Sequence, residues 1–121
     1  LKDDEVAALF YNNRAMELMA DGKNKEAFLY LKKALEFQPN ANFIWSNLGT
    51  LYRRHGQMEI AEAVYLKALS IDPSDLTLLN NLAGIYKQMG REAETNVYRA
   101  RVKKYRESNP YYLYQMAMRA K

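Results

Sequence analysis

The chain has 121 residues, of which 49% are hydrophobic and 26% charged, with a formal net charge of +4 and no cysteine. Such a length buries very roughly two thirds of the unfolded surface, enough for a core without staples, and the lack of cysteine excludes disulfides and thiolate metal sites. No stretch approaches the roughly 18–20 consecutive apolar residues of a membrane span, and the acidic start from Leu1 to Glu5 is unlike a signal peptide, so a cytoplasmic location without membrane contact is expected.

Taken in chain order, Asp3 and Asp4 place negative charge at a helix start, where it complements the helix dipole. Gly22 closes that helix, because a residue without Cβ accepts the left-handed conformation of a helix end. A second helix follows with a buried stripe on Ala27, Leu31, Ala34 and Leu35, at the three- and four-residue steps of one face. The run Ala-Leu-Glu-Phe-Gln-Pro ends at Pro39. After it the pattern begins again, with Gly56 at the turn, Ala61, Tyr65, Ala68 and Leu69 on the second helix, and Ala-Leu-Ser-Ile-Asp-Pro ending at Pro73. A third round turns at Gly90 and continues into one long helix over about 91–107, its stripe on Tyr98, Val102 and Tyr105. Residues 110–121 then start a fourth.

The period is 34 residues, giving repeats over 8–41, 42–75 and 76–109 and a half repeat over 110–121. The fourth position is large (Tyr11, Trp45, Leu79, Leu113) and the eighth is small (Ala15, Gly49, Ala83, Ala117). Small residues let two helices of a hairpin approach closely, while the large residue fills the neighbouring groove. The expected fold is therefore all-α, an array of antiparallel helix hairpins with about seven helices in a single domain. The start at Leu1 and stop at Lys121 read as a fragment of a longer protein.

The second repeat, with Trp45, Leu48, Gly49, Tyr52, Ala61, Tyr65, Ala68 and Pro73, resembles the tetratricopeptide repeat family at nearly every signature site. The resemblance implies a right-handed superhelical α-solenoid that acts as a protein-interaction scaffold and binds an extended peptide or partner segment in the concave groove formed by the first helices. Two departures stand out. Arg14 occupies a position where the family prefers an apolar residue, and Thr95, Arg99 and Val102 replace the small and aromatic residues usual on the third repeat's second helix.

On the groove side the sixth position reads Asn13, Asn47, Asn81 and Gln115. A side-chain amide donates and accepts at once, as pairing with an extended peptide backbone requires, and the row resembles the asparagine ladder of the tetratricopeptide superhelix in O-linked N-acetylglucosamine transferase. Asn12, Asn80 and Phe43 flank it, and Arg53, Arg54 and Lys87 add charge that favours an acidic ligand. At about 1 kcal/mol per amide the row supplies about 4 kcal/mol, or roughly millimolar binding, so side-chain pockets must add to it. The terminal-carboxylate clamp of chaperone-binding family members does not carry over. Asn12 and Thr77 stand where its lysines belong, Asn81 where its arginine belongs and Met16 in place of one asparagine; only Asn47 matches.

No catalytic constellation is present. His55, the only histidine, precedes a turn glycine and reads as a surface residue, and neither a phosphate-cradling loop nor a metal-ligand cluster occurs. Neither a cofactor nor enzymatic activity is expected. Residues 91–121 carry eight basic and three acidic side chains, which makes nucleic acid a rival partner. However, Tyr98 and Tyr105 fall on the expected buried stripe, leaving Arg99, Arg101, Lys103, Lys104 and Arg106 as a solvated face. The apolar surface of Tyr111, Tyr112, Leu113, Tyr114, Met116 and Met118 offers self-association as a further alternative. Residues 105–112 resemble a stretch in bacterial proteins that join a transglutaminase-like domain to such repeats, which would place an enzyme outside this chain.

Overall fold

The structure is a computed structural model that describes residues 2–119, apart from the side chain of Tyr112. Among these residues every regular element is an α-helix: α1 (Asp3–Ala20), α2 (Asn24–Phe37), α3 (Asn42–Arg54), α4 (Met58–Ile71), α5 (Leu76–Gln88), α6 (Glu92–Ser108) and α7 (Pro110–Arg119). They divide into two compact units, Leu1–Pro73 and Ser74–Lys121. The first holds the hairpins α1/α2 and α3/α4, and the second holds the hairpin α5/α6 followed by α7. The last two residues of the expected half repeat, Ala120 and Lys121, lie outside the described residues.

Each hairpin turns in the same way. Gly22, Gly56 and Gly90 have φ of 74°, 75° and 73°, the left-handed conformation that ends a helix at little cost only for glycine. In the first turn Gly22 N–H donates to the Met19 carbonyl at 3.1 Å and Lys23 N–H to the Leu18 carbonyl at 2.8 Å. This pair of bonds satisfies two carbonyls that the helix end would otherwise leave without partners. The same six-to-one bond recurs from Gln57 to Tyr52 at 3.0 Å and from Arg91 to Tyr86 at 2.9 Å. Pro39 and Pro73 each follow the residue that caps α2 and α4, where proline stops further winding. Starts are also specified: Asp75 accepts from Leu78 N–H at 3.1 Å, and Asn109 accepts from Tyr111 N–H at 2.9 Å just ahead of Pro110.

The core of the first unit contains Ala8, Ala15, Leu18, Ala27, Leu31, Ala34, Ile44, Leu48 and Leu51. Fully burying each of the larger aliphatic side chains contributes about 1.5–3 kcal/mol. The second-helix stripes follow the sequence. Ala27, Leu31 and Ala34 are buried and Leu35 is half-buried, while Ala61, Tyr65, Ala68 and Leu69 are all buried. Gly49 is small for a visible reason: a Cβ there would lie 2.6 Å from Cδ1 of the Tyr65 ring. The ring's hydroxyl lies 2.8 Å from Thr50 Oγ1. Trp45 donates its indole N–H to the Pro39 carbonyl at 2.7 Å, fixing the interhairpin loop to α3.

In the second unit Leu78, Leu79, Leu82, Ala83, Ile85 and Tyr86 of α5 are buried. On α6, Thr95 and Val102 are buried and Tyr98 and Tyr105 half-buried, so the long helix carries the expected stripe with Thr95 added to it. The Thr95 hydroxyl donates to the Arg91 carbonyl at 2.8 Å, which satisfies its one buried donor. Tyr98 stacks on Tyr86 with ring centroids 5.4 Å apart. The helix α7 has the family's large and small positions at Leu113 and Ala117, yet both are exposed, and Tyr111, Tyr114, Met116 and Met118 are exposed with them.

Candidate functional site

The first helices of the two hairpins in the first unit, α1 and α3, carry Leu9, Asn12, Asn13 and Met16 on one and Phe43, Asn47, Thr50 and Arg54 on the other. Leu9, Asn13 and Met16, and likewise Phe43, Asn47, Thr50 and Arg54, follow one another at steps of three and four residues and so share a helix face, with Asn12 turned inward beside the first of these stripes. A hydrogen bond sets the two stripes side by side: Asn47 Nδ2 donates to Asn12 Oδ1 at 2.8 Å. Asn12 is 6% exposed, so this amide works between helices. The bond uses one N–H of Asn47, a half-buried residue, and leaves its second N–H and its Oδ1 for another partner.

Around that bond the surface is mixed. Asn13 and Arg54 are exposed, Leu9 and Phe43 are exposed apolar side chains, and Met16, Thr50 and Arg53 are half-buried. Arg54 Nη1 lies 3.4 Å from the Met19 carbonyl, placing its charge at the C-terminal end of α1, where a cation is favoured. Arg14 extends outward and pairs with Glu17 at 2.8 Å, so its departure from the apolar consensus costs no buried charge.

In the second unit, α5 presents Asn80 and Lys87 as exposed side chains and Asn81 as a half-buried one. Gln115 of α7 is exposed and donates to the Tyr111 hydroxyl at 2.8 Å, a bond within its own helix. The basic helix α6 shows two arrangements that sequence spacing does not reveal. Arg101 covers the face of Tyr98, with its guanidinium carbon 5.3 Å from the ring centroid. Arg99, Lys103 and Arg106 line a cleft of about 260 Å³ with Asn80, Val102 and Glu107.

A second feature missed by the sequence reading lies between α2 and α3. Phe28 and Tyr52 meet edge to face at 5.7 Å and line two apolar clefts of about 440 and 420 Å³, the first with Leu29 and the second with Leu35 and Trp45. His55 is exposed at the end of α3 and borders the first of these. Among the described residues no group of three or more His, Asp or Glu side chains is placed to hold a metal ion, and no helix is long and apolar enough to cross a membrane.

Stacked antiparallel hairpins with glycine turns, small-against-large packing and a polar face on the first helices define a helical-repeat scaffold for protein interaction. The chain belongs to the tetratricopeptide repeat family, whose model matches residues 8–41 and 44–75, more than half of the sequence. Similar curated proteins include the photosystem I assembly protein Ycf3 of Prochlorococcus marinus, 30% identical over 95 residues, which are 76% of this chain and 55% of that protein. Ycf3 of Rippkaea orientalis is 30% identical over 89 residues, covering 71% of this chain and 51% of the relative. The chain thus spans about half the length of the curated relatives it matches. Among solved structures, the first tetratricopeptide domain of Spaghetti (RPAP3), bound to the HSP90 peptide SRMEEVD, superposes with a TM-score of 0.79. It has 17% identity and covers 94% of this chain and 90% of that one. MamA also gives 0.79, with 20% identity over 87% of this chain and 61% of its own. Both show the fold.

Proposed function

We propose that the first-helix faces of this chain hold an extended, acidic segment of a protein partner. The observation that carries the reading is the Asn12–Asn47 hydrogen bond, which brings the α1 and α3 stripes together. Asn13 and the unspent groups of Asn47 follow the exposed apolar side chains of Leu9 and Phe43 by one turn on the same two helices. Amides supply pairing for a peptide backbone, the apolar side chains supply contact area, and Arg54 and the adjacent Arg53 supply positive charge. On the second unit, Asn80, Asn81 and Lys87 offer the same chemistry, with Gln115 at the corresponding position of α7.

Membership of the tetratricopeptide family supports a protein ligand, and the structural neighbour's peptide, SRMEEVD, is itself an acidic segment. The chain lacks lysines at Asn12 and Thr77 and has Asn81 in place of an arginine. The segment proposed is accordingly one gripped along its backbone, without the carboxylate clamp of chaperone-tail receptors.

The test is a peptide array probed with the chain and with the Asn13→Ala/Phe43→Ala variant, both sites being exposed and separate from the Asn12–Asn47 bond. Loss of one backbone-pairing amide and one aromatic contact should weaken the peptides selected by the parent chain about thirtyfold, since each is worth on the order of 1 kcal/mol. Equal array patterns for the folded variant and the parent would place the site elsewhere.

A further inference from the structure

The cleft beside α6 brings together charges that the sequence shows only as part of a basic helix. Arg99, Lys103 and Arg106 lie on one side of that helix at steps of four and three residues, and all three line the cleft with Asn80 of α5. Val102, 6% exposed, also lines it. Among the described residues Glu107 is the one acidic side chain in the wall, with its Oε1 3.9 Å from Lys103 Nζ. The wall therefore keeps an excess of two positive charges. Like charges facing one cavity repel, and a bound anion relieves that repulsion while accepting charge-assisted hydrogen bonds from the guanidinium forks.

We propose that this α5/α6 cleft is an oxyanion pocket that takes the acidic side chains of a bound protein segment. This rests on the reading of the first-helix faces as a peptide-binding surface, and it assigns acidic specificity to residues outside the asparagine row. Asn80 joins the two, since it belongs to the first helix α5 and also lines the cleft. A carboxylate and a phosphorylated side chain share the required chemistry. A nucleic-acid strand fits less well, because among the described residues the cleft wall contains no aromatic ring on which a base could stack. The nearby Tyr98 is occupied by Tyr86 and by Arg101.

The experiment measures fluorescence anisotropy of three labelled probes with the 121-residue chain: a decapeptide alternating glutamate and glycine, its counterpart with phosphoserine at the glutamate positions, and a ten-nucleotide oligothymidylate. Arg99→Gln/Arg106→Gln removes two cations from the cleft. Lys2→Gln/Lys23→Gln removes the same charge from exposed residues of the first unit that do not line it. The cleft variant should bind the acidic peptide about tenfold or more weakly, as expected for two lost charge-assisted contacts, with at most about a twofold change in the charge-matched control because exposed distant charges are screened. The ratio of glutamate to phosphoserine affinity assigns the source of the oxyanion. As a readout that needs no variant, titrating the unlabelled acidic peptide should shift the Arg99 and Arg106 Nε–Hε NMR resonances. Equal losses in both variants, unmoved arginine resonances, or oligothymidylate binding tighter than either peptide would overturn the pocket. If neutral array peptides still bind in any of those cases, the first-helix reading survives alone; if no peptide of any kind binds, both fall.

Discussion

Asn47 and Asn12 stand 35 residues apart in sequence and 2.8 Å apart in space, one amide donating to the other between the first helices of successive hairpins. The acceptor is buried and the donor half-buried, so the bond serves both to set the spacing of α1 and α3 and to orient a polar row.

Breaking that bond should be costly because it strands a buried polar group. Asn47→Ala, which leaves the buried Asn12 acceptor without its donor, is expected to lower stability by about 1–3 kcal/mol, and Asn12→Ala, which leaves only the half-buried Asn47, by about 0.5–1.5 kcal/mol. The double variant should recover about 1 kcal/mol of the summed loss, because the second truncation removes the orphan left by the first. Urea unfolding of the four proteins measures this, and strictly additive losses would show that the two amides are not coupled.

Gly49→Ala tests close packing against local propensity. Helix propensity alone favours alanine by about 0.8–1 kcal/mol, whereas the added Cβ would sit 2.6 and 2.7 Å from two atoms of the Tyr65 ring, itself fully buried. Overpacking of this kind costs about 1–3 kcal/mol. The variant is expected to melt at a lower temperature than the parent. A rise would mean that the ring has room to withdraw.

Gly56→Ala should destabilise by a different route. Nothing lies within 4 Å of a Cβ at this position, but φ is +75°, which costs an alanine about 1–2 kcal/mol. Gly56→Asn should recover part of the loss because asparagine tolerates the left-handed region. Thermal melts that rank Gly, Asn and Ala in that order would separate backbone strain from crowding.

Tyr65→Phe removes the hydroxyl that lies 2.8 Å from Thr50 Oγ1 and keeps the ring beside Gly49. The expected cost is about 1 kcal/mol, the net value of one hydrogen bond. Since the Thr50 hydroxyl also lies 3.2 Å from the Ser46 carbonyl, it keeps a partner and the loss should stay near that figure. Denaturant midpoints of the parent and the variant decide the point; a loss several times larger would imply that the hydroxyl organises more than this pair.

The hairpins were legible because their determinants are local and periodic. Gly22, Gly56 and Gly90 occupy equivalent turns, and Ala61, Tyr65, Ala68 and Leu69 are buried as their spacing requires. The site was only partly legible. A 34-residue period identifies equivalent positions but not which of two adjacent amides turns inward; neighbours on a helix point about 100° apart. Thus Asn12, read as a groove residue, is buried, while Asn13 is exposed. The α6 cations were read as a uniform solvated face because Tyr98 and Tyr105 take the buried stripe and long basic side chains are the usual cover of an outward helix surface. Only packing against α5 separates Arg99, Lys103 and Arg106, which line a cleft, from Arg101, which covers a tyrosine.

Trp45 is the only tryptophan and belongs to the first unit, where its indole donates to the Pro39 carbonyl and lies under Lys67, whose Nζ is 5.8 Å from the ring centroid. The chain thus carries an intrinsic optical reporter of one half of its fold. Emission excited at the indole band reports the surroundings of α3 in the first unit, whereas far-ultraviolet dichroism weighs all seven helices. Should the halves melt at different temperatures, these two signals will diverge without any label being attached.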